Sequence, residues 1–323
     1  MQKKSDDMNN EQIKLISYNQ ISEDNKAEGI PDGVKMIKAP EFWEKGRYGE
    51  GIVIAIIDTG CDINHPDLHD RIVGVKNFTD DDNGQSDIVI DYVGHGTHVA
   101  GIIAANKNGT GIVGVAPKAK LLIIKALSIG GGSYSAVTKA INYAVNCKVD
   151  IISMSLGGKY KDLSLYKAIK KAVDHNILVV CAAGNDGDGQ ALAEELNYPA
   201  GYNEVISVGS VSYEKKASRF SSTNNEVDLL APGQGFNGNG IISTAAGGGY
   251  VEMQGTSMAA PHVSGALALI KNWAVDEFKR ELTEVEIYAQ LIKRTIALGY
   301  DKSIEGNGML YLDIEPVIEK GIS

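Results

Sequence analysis

Short apolar runs alternate with amphipathic segments along most of the chain from residue 51 onward. The runs are rich in β-branched residues, and the segments between them repeat apolar positions with a helical period. Continuous apolar strands that alternate with helices are typical of a parallel sheet buried on both faces. The predicted strands are 52–57, 121–127, 151–155, 177–182 and 205–211, and the predicted helices are 96–105, 135–146, 163–175 and 258–273.

This pattern predicts an α/β fold with three layers (αβα), in which helices cover both sides of a central, mostly parallel sheet. The chain has 323 residues, of which 43% are hydrophobic. That is sufficient for one large domain with a substantial core. Residues 1–27 are polar except for an apolar island at 13–18. We therefore expect an N-terminal extension over 1–27 and one domain over 28–323.

Charge and cysteine content narrow the possible partners and the compartment. The net charge of -10 disfavours nucleic acid and anionic membrane, because both select basic surfaces. The first thirty residues contain no signal-peptide core, and the chain has no apolar run long enough to span a membrane. Its three cysteines, Cys61, Cys147 and Cys181, lack metal-site or disulfide spacing. We expect a cytoplasmic protein with reduced thiols.

Three short motifs carry reactive side chains in the order Asp, His, Ser. They are Asp58-Thr59-Gly60, the run Gly-His-Gly-Thr-His at 94–98, and the run Gly-Thr-Ser-Met-Ala-Ala-Pro-His at 255–262. A serine hydroxyl is a poor nucleophile at neutral pH and needs an imidazole to accept its proton. The imidazole in turn needs a carboxylate to fix its tautomer. We interpret Ser257, His95 and Asp58 as nucleophile, base and orienting acid.

The predicted elements place these residues where chemistry occurs in parallel sheets. Asp58 directly follows the predicted strand 52–57, and reacting groups gather beyond the carboxyl ends of such strands. His95 and Ser257 instead precede predicted helices. A helix start near Ser257 supplies free N–H donors and a positive dipole end where negative charge will develop.

At these three motifs the chain resembles the subtilisin-like serine proteases, whose triad runs in the order Asp, His, Ser. The similarity extends from about residue 30 to about residue 270 and points most closely to the intracellular subtilisins. The resemblance implies a serine endopeptidase that hydrolyses peptide bonds in proteins and peptides through an acyl-enzyme.

Two other functions remain open at this point. A catalytically silent fold could keep these residues and serve only for binding or as a scaffold. An esterase of the α/β-hydrolase type is disfavoured, because that fold orders its triad Ser, Asp, His and places the serine in Gly-x-Ser-x-Gly. Here Ala259 ends that pattern.

The family resemblance also assigns the oxyanion hole and the substrate cleft. The run 182–185 resembles the family's oxyanion-hole segment, which implies the Asn185 side chain and the Ser257 backbone N–H as donors. Two glycine-containing segments resemble those that hold the substrate backbone between them. The residues implied in substrate binding are Gly130, Gly131, Gly132, Ser155, Leu156, Gly157 and Gly184.

The first specificity pocket has two possible preferences. Small residues along its walls indicate a roomy apolar slot. Asp186, Glu194 and Glu195 could instead attract a basic side chain at its mouth. The sequence leaves the choice open.

Calcium is the cofactor that the resemblance implies. Asp67 and Asn108 would supply side-chain oxygens, and Asn106, Thr110 and Ile112 would supply carbonyls, a donor set that suits calcium. Glu28 stands where the family has a glutamine ligand. A hydrogen-bonded turn without metal is the alternative.

The apolar island resembles the short inhibitory motif of the intracellular subtilisins. The residues that match this motif are Leu15, Ile16, Ser17 and Tyr18, and Ser17 stands where the family usually has proline. The resemblance implies that the protein's own N-terminal extension blocks its cleft. Because serine lacks the ring that would bend the backbone, the extension is expected to be cut sooner or to inhibit less. The resemblance also implies a homodimer, with the segment after Trp273 as the candidate contact.

Overall fold

The computed structural model describes residues 12–16, 19–24, 29–191 and 194–313, with residues 21–24 described for the backbone alone. Among these residues, none of the helices is long and apolar enough to cross a membrane.

The described chain alternates strands and helices over most of its length. The strands are β1 (Gln12–Leu15), β2 (Asn19–Asp24), β3 (Val53–Asp58), β4 (Ile72–Asn77), β5 (Lys120–Lys125), β6 (Gly132–Ser133), β7 (Ile151–Met154), β8 (Leu156–Gly157), β9 (Leu178–Ala182), β10 (Ile206–Ser212), β11 (Leu229–Gln234), β12 (Ile241–Thr244), β13 (Tyr250–Gln254), β14 (Thr295–Ile296) and β15 (Met309–Leu310). The helices are α1 (Asp32–Met36), α2 (Ala39–Phe42), α3 (His95–Ala104), α4 (Tyr134–Asn146), α5 (Leu163–Asp174), α6 (Thr256–Phe278), α7 (Glu284–Ile292) and α8 (Lys302–Glu305).

A large sheet forms the middle layer. Within the described residues it has nine strands in the order β14-β15-β11-β10-β9-β7-β3-β5-β4. Neighbouring strands run parallel throughout except at one edge, where β14 pairs antiparallel with β15. The predicted α/β fold with a central, mostly parallel sheet is confirmed.

Helices cover both faces of this sheet, and alternate residues of each strand point to opposite cores. Ile54 and Ile56 of β3 pack in one core with residues of α3 and α6. Ala55 and Ile57 pack in the other core with residues of α4 and α5. This two-sided burial explains why the central strands are apolar at most positions rather than only at alternate ones.

The predicted elements agree with the observed ones to within a few residues, although α6 runs five residues beyond the predicted end. Strands β4 and β11 were not predicted. The first interrupts its apolar residues with Gly74 and Lys76, as an edge strand allows. The second contains Pro232 and Gly233, which favour a loop in sequence, yet Pro232 pairs with Val211 of β10.

Two small antiparallel sheets lie outside the central layer, and each contains a strand from the N-terminal region. Strand β1 lies between β6 and β8, and β2 lies beside the hairpin formed by β12 and β13. The N-terminal segment therefore completes two sheets whose other strands belong to the body of the domain.

Substitution Ile123→Ala tests whether the sheet core sets stability. Ile123 lies in β5 and is 1% exposed, so truncation is expected to lower the free energy of unfolding by about 2–5 kcal/mol. Val73→Ala on the neighbouring strand is the control, because Val73 is 55% exposed and its change should stay within about 0.5 kcal/mol. Urea unfolding measures the free energy of unfolding of both variants, on a Ser257→Ala background that prevents self-digestion. Equal decreases in the two variants would contradict the conclusion that the sheet core sets stability.

Candidate active site

A strand end and a helix start bring an acid and a base together. Asp58 is the last residue of β3, and His95 is the first residue of α3. Nδ1 of His95 lies 2.8 Å from Oδ1 of Asp58, and both side chains are buried. The Thr59 amide donates to the same carboxylate oxygen at 2.7 Å. A carboxylate here selects the imidazole tautomer with its proton on Nδ1, so that Nε2 is the accepting nitrogen.

The start of α3 approaches this strand end closely because residue 96 has no side chain. A Cβ atom built on Gly96 would lie 2.1 Å from the carbonyl oxygen of Gly60 and 3.2 Å from Cβ of Asp58. Any other residue would push the helix away from the strand. Glycine at this position is therefore required for the contact between acid and base.

Ser257 lies in the first turn of α6, a helix that packs against α3. Its side chain is buried, and Oγ donates a long hydrogen bond of 3.5 Å to the carbonyl oxygen of Ile16. The Ser257 carbonyl accepts from Oγ of Ser155 at 2.9 Å. The backbone of the serine is thus anchored while its hydroxyl faces the N-terminal segment.

The Asn185 side chain is oriented by the residue that precedes the serine. Its Oδ1 accepts from the amide and from Oγ1 of Thr256, both at 2.9 Å. Gly184, which precedes it, donates to the same Thr256 hydroxyl at 3.3 Å. With the amide oxygen held this way, the amide nitrogen is the end of the side chain suited to donate to a developing oxyanion.

A second buried carboxylate, Asp91, links the strand end to the helix start and was not singled out in the sequence. Its Oδ1 accepts from the Thr59 hydroxyl and the Gly94 amide, both at 2.8 Å. Its Oδ2 accepts from the Thr97 amide at 2.8 Å and from the Thr97 hydroxyl at 2.7 Å. Each threonine lies within two residues of Asp58 or His95. The sequence does contain a signal for this role: Asp91 stands four positions before the start of α3, where free backbone amides need acceptors.

Lys125 holds the same loops from the end of β5 and was also not singled out. Its side chain is fully buried, and Nζ donates to the carbonyls of Thr59 and Ile90 at 2.8 Å each. Asp81 pairs with it at 3.0 Å. A fully buried lysine is rare unless paired. The available signal was a lysine inside the apolar run 121–127.

The two other histidines near the site are hydrogen-bonded to the backbone. Nε2 of His98 lies 2.9 Å from the Ile241 carbonyl, and burial lowers the pKa of His98 to about 3. His262 contacts the Met258 carbonyl at 2.8 Å, and burial lowers its pKa to about 4. Both remain neutral near pH 7. Burial also raises the pKa of the Cys61 thiol well above its usual value, which disfavours a reactive thiolate.

The N-terminal strand β1 lies between the two segments expected to bind substrate. Ile13 pairs with Gly132, and Lys14 and Leu15 pair with Gly157 and Leu156. The Ile16 amide donates to the Ser155 carbonyl at 3.4 Å.

The other glycines of the cleft differ in their surroundings. A Cβ on Gly131 would lie 2.8 Å from the Ile13 carbonyl oxygen, whereas one on Gly130 would have open space around it. Gly184 lies against Asn197. Leu15 and Ile16 of the expected inhibitory motif are therefore in the cleft, while Ser17 and Tyr18 lie outside the described residues.

The Ile16 side chain enters a pocket beside Ser257. A Cβ on Gly157 would lie 2.8 Å from Cδ1 of Ile16 and 3.3 Å from Cβ of Asn197. A cavity of about 300 Å³ continues from here, and Asn185, Asp186 and Asn197 contribute to its lining. The small wall residue at 157 leaves room for a branched apolar side chain.

Asp186 and Glu195, two of the three acidic groups considered for this pocket, have partners of their own. Asp186 pairs with Nζ of Lys159 at 2.5 Å and accepts from Asn197 at 3.0 Å. Burial acts to raise the pKa of Asp186, but the hydrogen bonds from Lys159 and Asn197 outweigh it, so the net shift is downward. Glu195 accepts from the Thr223 amide at 2.8 Å. The lysine neutralises the charge that would have attracted a basic side chain.

The loop expected to bind metal encloses the buried Asp67 carboxylate. Oδ1 accepts from the side-chain amide of Asn108 at 3.1 Å, and Oδ2 accepts from the Ile112 amide at 3.1 Å and the Tyr250 hydroxyl at 2.9 Å. The Asn106 amide donates to the Asp67 carbonyl at 2.8 Å. Oδ1 of Asn108 accepts from the amide of Thr110 at 3.0 Å. Glu28 lies outside the described residues.

Substitution Asp91→Asn tests whether the second carboxylate positions the acid and the base. Replacing one oxygen with an NH₂ group removes an acceptor that Thr97 or Thr59 uses, and a misplacement of about 1 Å can cost about 100-fold in rate. We expect kcat for a short peptide to fall by about 10- to 100-fold with KM nearly unchanged. Steady-state kinetics, with exposed Asp87→Asn as the control, measures this. A rise in KM alone, or equal effects of the two variants, would contradict the positioning role.

Comparison with known proteins agrees with this geometry. The model of the subtilase family matches residues 49–309. The chain is 56% identical over 301 residues to the intracellular serine protease of Paenibacillus polymyxa, covering 93% of this chain and 90% of that protein. It is 55% identical over 308 residues to the major intracellular serine protease of Bacillus subtilis (strain 168), covering 94% of each.

A more distant relative shares the body of the domain. Subtilisin E of Bacillus subtilis (strain 168) is 42% identical over 245 residues, which cover 76% of this chain and 61% of that protein. The family match spans most of the described domain, and the relatives of higher identity also cover nearly the whole chain. The chain therefore belongs to the subtilase family and is a serine endopeptidase.

Proposed function

We propose that this endopeptidase is made as a precursor in which residues 1–27 hold the catalytic domain, residues 28–323, inactive. The observation that carries the proposal is the position of residues 12–16. They form a strand between both walls of the cleft and place the Ile16 carbonyl beside the Ser257 hydroxyl. A substrate cannot enter while the chain's own segment fills this path.

The proposed reaction uses the residues assembled above. Ser257 Oγ attacks the carbonyl carbon of the substrate while His95 accepts the hydroxyl proton, and Asp58 stabilises the resulting imidazolium. The amide of Asn185 and the backbone N–H of Ser257 stabilise the oxyanion. Collapse breaks the C–N bond, and His95 gives its proton to the leaving amine. Water then hydrolyses the acyl-enzyme by the same steps.

The extension is itself a polypeptide in the cleft, and the carbonyl oxygen of Ile16 lies 3.5 Å from the nucleophile. Position 17 carries serine rather than the proline usual in the related inhibitory motif. Serine does not restrict the backbone as proline does. We propose that the extension is a slow substrate and that its cleavage after Ile16 starts activation.

The proposed side-chain preference at the cleaved position is apolar and of medium size. Ile16 occupies the pocket, and Lys159 neutralises Asp186 at its rim. A basic side chain would meet a cation there, so it gains little from the carboxylate. Leucine and isoleucine fit the space beside Gly157.

Substitution Ile16→Glu tests the inhibitory role of the extension. Ile16 is 6% exposed, so replacing it with a charged side chain removes apolar burial worth about 1.5–3 kcal/mol, and the initial rate of the full chain on a chromogenic peptide should rise about tenfold or more. Lys14→Ala is the matched control, because the Lys14 side chain is exposed, and its rate should stay unchanged. A chain starting at Ala27 gives the upper limit. Equal initial rates for full and shortened chains would defeat the proposal.

We also propose a calcium site at Asp67. The described residues contain no group of three or more His, Cys, Asp or Glu side chains that could hold a metal, but calcium accepts carbonyl and amide oxygens in place of carboxylates. Asp67 is buried, and the hydrogen bonds it accepts come from neutral donors. A cation there would compensate its charge. The ligands would be Asp67, Asn108 and the carbonyls of Asn106, Thr110 and Ile112, with Glu28 as a further ligand.

Asp67→Asn tests the calcium site. A ligand that binds only the folded chain stabilises it by about 2.7 kcal/mol at a hundredfold excess over Kd. We expect calcium to raise Tm of the Ser257→Ala protein relative to EGTA, and Asp67→Asn to abolish that increase. Asp70→Asn, at a neighbouring exposed position, should retain it. An equal calcium effect in both variants would remove Asp67 from the ligand set.

Cytoplasmic location and a homodimer complete the proposal. The relatives of high identity are named intracellular proteases, and Cys61, Cys147 and Cys181 are all free thiols. For the dimer, the segment after Trp273 presents Phe278 at 43% and Val285 at 69% exposure. Exposed apolar side chains of this kind are typical of contact surfaces.

A further inference from the structure

The strand that leads into the nucleophile has an edge covered by the N-terminal region. Strand β13 pairs with β12 on one side and antiparallel with β2 on the other. Asn19 and Gln20 lie opposite Gln254 and Met253, and after a bulge the pairing continues from Ser22 to Asp24. Only the backbone of β2 is needed for this pairing.

The chain reaches β13 directly after passing Ser257. Ile16 presents its carbonyl to the serine, and Asn19 lies opposite Gln254, three residues before the serine. Strand β2 therefore holds the third to the eighth residue after Ile16. These are the positions that a substrate would present on the amine side of the bond being cleaved.

A side-chain pocket accompanies the backbone pairing. A cavity of about 260 Å³ is lined by Gln20, by the loop that precedes His95 and by β13 residues Val251 and Met253. The loop contributes Tyr92 and Gly94. The cavity therefore faces the fourth residue after the Ile16 carbonyl, next to the catalytic base.

We propose that the β13 edge is a docking strand for extended, unfolded protein substrates and that it binds the third to the eighth residue beyond the cleaved bond. This inference rests on the proposal that residues 12–16 follow the path of a substrate. Backbone pairing of this type gives affinity that tolerates many sequences. It also requires a long extended segment, which an unfolded polypeptide supplies and a short peptide or a folded loop does not.

Peptides of different length on the amine side test the proposal. The full chain is left to mature in solution, and its new N-terminus is identified by mass spectrometry. If residues 19–24 are retained, the chain starting at Ala27 is used instead, so that the edge of β13 is open. Three internally quenched peptides share residues 12–16 on the acyl side and carry two, five or eight residues beyond the bond. We expect kcat/KM to rise about tenfold or more from the shortest to the longest, mainly through KM, because added strand pairs contribute binding.

N-methylation identifies backbone pairing as the cause. Neighbouring N–H groups of a strand point in opposite directions, so one of two adjacent groups faces β13. Methylation at the sixth or at the seventh position of the longest peptide should therefore abolish the gain in one case and retain it in the other. Equal kcat/KM for all lengths in the chain that lacks residues 19–24 overturns the proposal. An identical effect of the two methylations overturns it too.

The shortest peptide separates this inference from the proposals on which it rests. Its cleavage, and the loss of cleavage in Ser257→Ala, report the activity of the catalytic residues. The comparison of Ile16→Glu with Lys14→Ala reports the inhibitory path. If both tests give the expected results but kcat/KM does not depend on peptide length, only the proposed docking role of β13 is wrong.

Discussion

The structure depends on holding the Asp58 carboxylate against the His95 imidazole away from water. Burying a charge is costly unless hydrogen bonds compensate it. Here the Thr59 amide contributes directly, while Asp91 and Lys125 fix the loops on either side. These groups come from the ends of β3 and β5 and from the start of α3. The central sheet sets their spacing, because its strands are fixed by packing on both faces.

In the proposed precursor, the same backbone pairing accounts for both inhibition and substrate binding. Strand β1 uses the edges of β6 and β8, which any extended chain can use, since such bonds do not depend on side chains. The proposed selectivity for the substrate side chain therefore depends on the pocket around Ile16, where Gly157 leaves space and Lys159 neutralises Asp186. An inhibitory segment and a substrate thus differ in how long they stay rather than in where they bind.

The fold, which is confirmed, and the three candidate reactive residues could be predicted because both depend on local signals. The apolar runs predicted the strands, and the motifs around Asp58, His95 and Ser257 predicted a nucleophile with its base and orienting acid. Asp91 and Lys125 were missed because their roles depend on contacts between loops distant in sequence. Strand β11 was missed because its Pro232 and Gly233 favour a loop, and its neighbours in the sheet override that preference.

The pocket charge and the second N-terminal strand could not be predicted for a similar reason. Asp186 is visible in the sequence, but its pairing with Lys159 across the cleft is a long-range contact. The segment at Asn19–Asp24 is polar, and polar segments rarely indicate a strand. It pairs because β13 offers an open edge, so the cause lies in the partner and not in the segment.

The two-residue strands β6 and β8 have a consequence for solubility. In the proposed active form, from which the N-terminal segment has left, β6, β8 and β13 present unpaired amides and carbonyls, and open edges of this kind template aggregation. The shortness of β6 and β8 limits aggregation through their edges, since two residues offer few hydrogen bonds to a neighbouring molecule. The proposed precursor is thus the form best suited to accumulate at high concentration, and the proposed active form gains access to its targets at the expense of colloidal stability.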